Sequence, residues 1–235
     1  MNEKHISSQF DADLRGISAL VLEMGGLAES QTAQAMYALT NFSVETADQV
    51  LVLEDRVNAM EVEIDLELQR IIAMRQPTAG DLRLLIAVTK ASANLERVGD
   101  EAARIARTVR RLVTTGVSSR MRLPVSELVY GADLAIAQLR RALDSFARMD
   151  AEQAVEVLKH DDQIDREFDG LLRKLITYMM EDPRTISSCI DLVFVAKAIE
   201  RIGDHGKNLA EAVIYVVKGT DVRHTSVAEV ENVVR

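Results

Sequence analysis

One short phrase occurs twice in this chain and constrains its fold more than any other feature. Leu95-Glu96-Arg97-Val98-Gly99-Asp100 returns, 104 positions on, as Ile199-Glu200-Arg201-Ile202-Gly203-Asp204. A repeat at that spacing divides 235 residues into two copies of one unit. In each copy Glu and Asp stand four apart, and residues four apart share one face of a helix. A Gly precedes each Asp. Gly inside a helix costs about 1 kcal/mol relative to Ala, so its recurrence at one place implies a packing or site reason.

The hydrophobic pattern around the phrase is helical. Leu84, Leu85, Val88, Leu95, Val98, Ala102, Ile105 and Leu112 recur mostly at threes and fours. Leu192, Val195, Ile199, Ile202, Leu209, Val213 and Val216 repeat the pattern. Aromatics are only 4% of the chain, with no Trp and few turn formers (3 Pro, 11 Gly), which favours long packed helices over sandwiches or barrels. Helix starts are marked at Thr78/Asp81 (a capping-box pattern), Asp150/Gln153 and Asp182-Pro183; Gly219 marks a stop. The prediction is an all-α fold: two tandem pseudo-symmetric three-helix bundles made of six long helices. These run at about 7–41, 44–75, 79–115, 122–148, 151–180 and 184–217. Residues 1–117 form the first repeat, 118–219 the second, and 220–235 a tail of weaker periodicity.

The net charge of −9 supplies no overall basic face for a nucleic acid. No apolar signal segment opens the sequence and no run of 18 apolar residues occurs, so a cytoplasmic protein is expected, meeting membranes only through partners. The single Cys189 precludes an intramolecular disulfide and lies in an apolar stretch, where it reads as a small core residue. Arg104, Arg107, Arg110, Arg111, Arg120 and Arg122 cluster near the junction between copies. Either they are a solvated helix end, the favoured reading, or they dock an acidic partner or anionic lipid.

The carboxylates carry the functional reading. Asp161, Asp165 and Asp169 are spaced i, i+4, i+8 on the fifth helix, and Glu54, Asn58 and Glu61 or Asp65 match them on the second. A three-helix unit can bring these stripes against Glu96/Asp100 and Glu200/Asp204. Converging like charges raise one another's pKa, a cost that a cation relieves. With 37 acidic residues, chance alone gives about six acidic i,i+4 pairs, so the weight lies in the repetition rather than in any single pair. Metal binding is favoured over a salt-bridged face. Oxygen donors select hard cations such as Mg²⁺, Mn²⁺, Ca²⁺ or iron ahead of Zn²⁺. No Glu-x-x-His pairs on the long helices, phosphate-cradling Gly-rich loop, Gly-x-Ser-x-Gly elbow or Cys-x-x-Cys is present. His205 follows the second motif and reads as a satisfied surface residue ahead of an outer ligand or a hydrogen-bonding neighbour; its counterpart is Glu101, so the two sites need not be equal.

Several stretches together, in order, resemble the PhoU family of phosphate-specific transport system accessory proteins. They are the doubled Glu-Arg-[Val/Ile]-Gly-Asp, His160-Asp161-Asp162-Gln163-Ile164-Asp165, Met180-Glu181-Asp182-Pro183-Arg184-Thr185-Ile186, Ala196 to His205, and Gly219-Thr220-Asp221-Val222-Arg223-His224. The resemblance implies an all-α fold of two three-helix bundles. It implies multinuclear metal binding at Glu200, Asp204, Asp161 and Asp165, and at Glu96, Asp100 and Glu54, with Asn58 weakening the first site. It further implies a homodimeric, non-enzymatic cytoplasmic regulator. Its implied partners are the ATPase of the phosphate ABC transporter and a sensor histidine kinase, and its implied role is to hold the phosphate-starvation response off. Competing readings are a metal-dependent enzyme acting on phosphate compounds, with Arg97 and Arg201 as a clamp, and a metal-free structural helical module.

Overall fold

The computed structural model describes residues 8–116 and 125–235. The six long helices are α1 (Ser8–Asn41), α2 (Val44–Arg75), α3 (Ala79–Thr114), α4 (Val125–Arg148), α5 (Ala151–Glu181) and α6 (Ile186–Lys218). Their bounds fall within about two residues of the expected ones wherever the comparison can be made. The expected start of the fourth helix at residue 122, and most of the junction, lie outside the described residues.

Caps explain the ends. The Ser43 hydroxyl accepts from the Thr46 amide and the Asp150 carboxylate from the Gln153 amide, satisfying donors that the first helical turn leaves open. Asp182 caps a 3₁₀ turn, Pro183–Thr185, which leads into α6. Gly219 ends α6 in the left-handed region at φ +72°. The capping box expected at Thr78 does not form: its hydroxyl donates to the Asp81 side chain instead, at 2.8 Å. Gln76 takes up φ 47° after α2 without being glycine. A left-handed non-glycine residue costs about 1–2 kcal/mol, partly offset by the greater entropy glycine loses on folding. Gln76→Gly is therefore expected to stabilise the protein by about 0.5 kcal/mol, read as a shifted urea midpoint at constant slope.

The two bundles are fused rather than merely linked. α3 and α6 run antiparallel and pack along their length, while α1 touches α4. Leu95, Val98, Ala102, Ile105, Ile199, Ile202, Leu209 and Val213 fill this centre with at most 4% exposure. Polar pairs fix its register: His205 and Asn208 meet Asn94, Arg201 meets Glu101, and Arg111 meets Asp191. Cys189 is buried in the same core.

The tail differs from its weak periodicity. Val222 is buried, and a short helix α7 (Val227–Val234) closes over α5 and α6, started by a complete Ser226/Glu229 capping box. Eight residues are too few for a periodic signal, but Val230 and Val234 suffice to anchor one amphipathic turn pair.

Candidate functional site

In the second bundle, α5 and α6 come together at Gly203. A Cβ there would lie 2.8 Å from the Ile164 Cδ1, so the missing side chain permits the close approach. Gly99 does the same in the first bundle, where a Cβ would meet Gln31 at 3.0 Å and Val57 at 3.2 Å. The recurring glycine thus has a packing reason, and it lies beside the acidic pair of each bundle.

Each glycine has a glutamine partner from the first helix of its bundle. The Gln31 amide donates to the carbonyls of Val50 and Gly99, at 3.2 Å each. The Gln138 amide donates to the Gly203 carbonyl at 3.1 Å and to the Asp161 carboxylate at 3.0 Å. Sequence reading missed both. The available signal was a polar side chain on the apolar face of α1 and again at the matching turn of α4.

Asp161 is buried and also takes the Lys207 ammonium at 2.6 Å. Glu200 is held by Lys197 at 2.6 Å, and that ammonium sits 5.4 Å from the Phe168 ring. Burial lifts the Asp204 carboxyl to about 6, with the charges of Glu200, Asp161 and Asp165 adding to it. Burial, then Asp161 and Glu200, raise Asp165 as well. The four sequence-selected carboxylates of this copy therefore sense one another across the α5–α6 seam.

In the first bundle, Arg107 grips both oxygens of buried Glu54, at 2.6 and 2.7 Å. Burial raises Glu96, helped by Asp100 and Glu61; burial also raises Glu61, helped by Asp65 and Asp100. Here Glu61 joins the group and Asn58 faces solvent. The two seams share carboxylates but not their counter-cations.

The donor set suits a hard cation in kind: oxygens only, negatively charged, and mutually repelling. In the present side-chain arrangement no three His, Cys, Asp or Glu side chains among the described residues stand close enough to hold one ion. Lys207 sits on Asp161, Lys197 on Glu200 and Arg107 on Glu54, each neutralising an oxygen that an ion would use. All three cations are partly exposed, so swinging them outward needs no repacking of the core.

His205 is a half-buried hydrogen-bonding neighbour across the centre and not the surface residue expected, because α3 packs over it. Its Nδ1–H donates to the Asn94 Oδ1 at 2.9 Å. Burial, with Arg97 and Arg201 nearby, lowers its pKa to about 4. Its counterpart Glu101 is buried and takes Arg201 at 3.0 Å and Arg104 at 3.3 Å, confirming that the two halves of the pseudo-twofold differ. Because the folded pKa lies below the free value of 6.5, the neutral ring stabilises the fold above pH 6.5, and that contribution is lost as pH falls toward 4. His205→Gln keeps an amide donor but cannot titrate. Its unfolding free energy is expected to fall by about 2 kcal/mol less than the parent's between pH 6.5 and 4, measured by urea denaturation across that window.

The arginine cluster at the end of α3 is spent on ion pairs. Arg104 pairs with Glu101, Arg107 with Glu54, Arg110 with Asp48 and Arg111 with Asp191. Arg120 and Arg122 lie outside the described residues.

Two fused three-helix bundles, each with an acidic seam beside a glycine contact, define a duplicated all-helical protein. The PhoU domain model matches residues 21–109 and again 131–213. A phosphate-specific transport system accessory protein PhoU homolog from Burkholderia sp is 47% identical over 226 residues, covering 96% of both chains. The accessory protein PhoU of Escherichia coli is 44% identical over 97% of this chain and 93% of its own. The crystal structure of PhoU from Pseudomonas aeruginosa superposes with a TM-score of 0.85 at 42% identity, over 90% of this chain and 100% of that one. The phosphate transport system regulatory protein PhoU from Streptococcus pneumoniae gives 0.83 at 26% identity, over 91% and 99%. This chain belongs to the PhoU family, with two PhoU domains in tandem, and has a general role in phosphate transport.

Proposed function

We propose that this protein is a non-enzymatic cytoplasmic regulator of phosphate homeostasis that carries hard metal ions on its two acidic seams. Asp161 and Asp165 would hold an ion from α5, and Glu200 and Asp204 from α6. Glu96, Asp100 and Glu54 are the corresponding donors of the first bundle. A bound ion would neutralise the seam and tie two helices together. The observation that carries the metal reading is the shared perturbation of Asp165 and Asp204 by the same neighbours, repeated for Glu96 and Glu61 in the first copy.

The regulator reading draws on relatives named accessory and regulatory proteins of phosphate transport. It takes as partners the ATPase of the phosphate ABC transporter and a sensor histidine kinase, keeps the starvation response off when phosphate is plentiful, and includes a homodimer. No helix among the described residues is long and apolar enough to cross a membrane, in keeping with contact through partners. A pull-down of the purified chain with the transporter ATPase and the cytosolic part of the kinase tests it. Retention of at least one is expected. Failure to bind either, together with phosphatase turnover, would favour the enzyme instead.

A further inference from the structure

α2 has two apolar faces, and only one is used. Its inner face (Val50, Val57, Ile64, Leu68, Ile71) is buried against α1 and α3. Its outer face carries Val52, Val62 and Leu66, exposed by 69%, 59% and 61%, with Ala59 and Ala73 exposed between and beyond them. Counting Asp55 and Gln69, these positions alternate threes and fours from 52 to 73, the spacing of a coiled-coil seam about 30 Å long. No described element packs on that face.

The fold itself does not require this stripe, because the second copy is an internal control. Matching Glu54 to Asp161 and Val57 to Ile164, all buried, places Lys159, Arg166, Asp169 and Arg173 opposite Val52, Ala59, Val62 and Leu66. Over that span the outer face of α5 is charged; its exposed apolar side chains, Ile176 and Met180, come only further along, opposite Gln69 and Ala73.

Charge selects the occupant. Asp55 lies within the stripe and Glu63 and Asp65 flank it. All three are exposed, and none has an ion-pair partner among the described residues. The flanking cations are committed internally, Arg56 to Glu23 and Arg70 to Glu67 and Asp13. We propose that the outer face of α2 docks a basic amphipathic helix of a partner protein, apolar residues on the Val52–Leu66 stripe and Lys or Arg against Asp55, Glu63 and Asp65. A second copy of this chain would set two net-negative stripes together, and an anionic bilayer would be repelled. The inference deepens the regulator reading by giving one partner contact a face and a chemistry.

The probe is a synthetic 21-residue helix with Leu at the heptad seam and Lys beside it, titrated by fluorescence anisotropy against the full chain; a Glu-for-Lys version is the control. Val62→Ser/Leu66→Ser leaves the net charge unchanged and is expected to weaken binding at least tenfold. Asp55→Lys/Glu63→Lys/Asp65→Lys is expected to do the same. Glu152→Lys/Glu156→Lys/Glu167→Lys on α5 makes the same charge change and is expected to alter binding less than threefold. Equal binding by the serine variant, equal loss in the α5 variant, or equal binding of the Glu peptide would overturn the proposal. So would a dimer in sedimentation that the serine variant abolishes, or binding of phosphatidylglycerol vesicles through this face. Peptide binding that survives while the kinase and ATPase pull-downs fail would leave the face standing and the partner assignment fallen.

Discussion

Replacing Glu200 and Asp204 with alanine is expected to lower the affinity of the second seam for Mn²⁺ or Mg²⁺ at least a hundredfold, read by calorimetry and by elemental analysis of protein purified without chelator. The variant removes both α6 donors and leaves Asp161, which Lys207 and Gln138 already satisfy. Unchanged metal content would sink the assignment. Stability without metal should move the other way. A carboxyl lifted from 3.8 to about 6 penalises the fold when ionised; the penalty is absent below pH 3.8, grows as pH rises through 6, and is full above it. At pH 7.5 in chelator, Asp204→Asn is accordingly expected to be more stable than the parent by about 2 kcal/mol, and to lose that advantage by pH 4. A seam that costs stability when empty and gains it when filled is the signature of a binding site rather than of a structural ion-pair network.

Gln138→Ala is expected to destabilise the protein by about 3 kcal/mol, lowering Tm by about 9 °C. Gln138 is 3% exposed, and its amide is shared between the Gly203 carbonyl and the Asp161 carboxylate. Truncation opens a cavity where α4 meets the α5–α6 seam and removes a hydrogen bond to a buried charge, which alone is worth about 1.5–3 kcal/mol. Gln138→Met restores most of the volume without the donor. The difference between the two variants in urea denaturation separates the cavity from the hydrogen bonds, and a Met variant as stable as the parent would show that the bonds contribute nothing.

How much of this was legible in the sequence depends on range. Helix ends at Ser43, Asp150 and Gly219 follow from residues within one turn of each other, and periodicity named the buried face of α3 and α6. The pairing of Glu200 with Asp204 is likewise a matter of helix pitch. Gln31 and Gln138 escaped because their partners are 68 and 65 residues away, at Gly99 and Gly203. α7 escaped because it is short. The arginine cluster read as a free surface until Glu54, Asp48 and Asp191 were placed against it.

The sequence by itself determined the duplication, the six long helices, the acidic pairs and the positions of the helical glycines, because these depend only on repeat spacing and on 3.6 residues per turn. Tertiary structure alone decided which oxygens are already neutralised, by Lys207, Lys197 and Arg107, and that the Val52–Leu66 stripe of α2 lies open rather than packed. Those outcomes depend on which helix faces meet across the bundle, and contacts between residues tens of positions apart leave no local trace in the order of the chain.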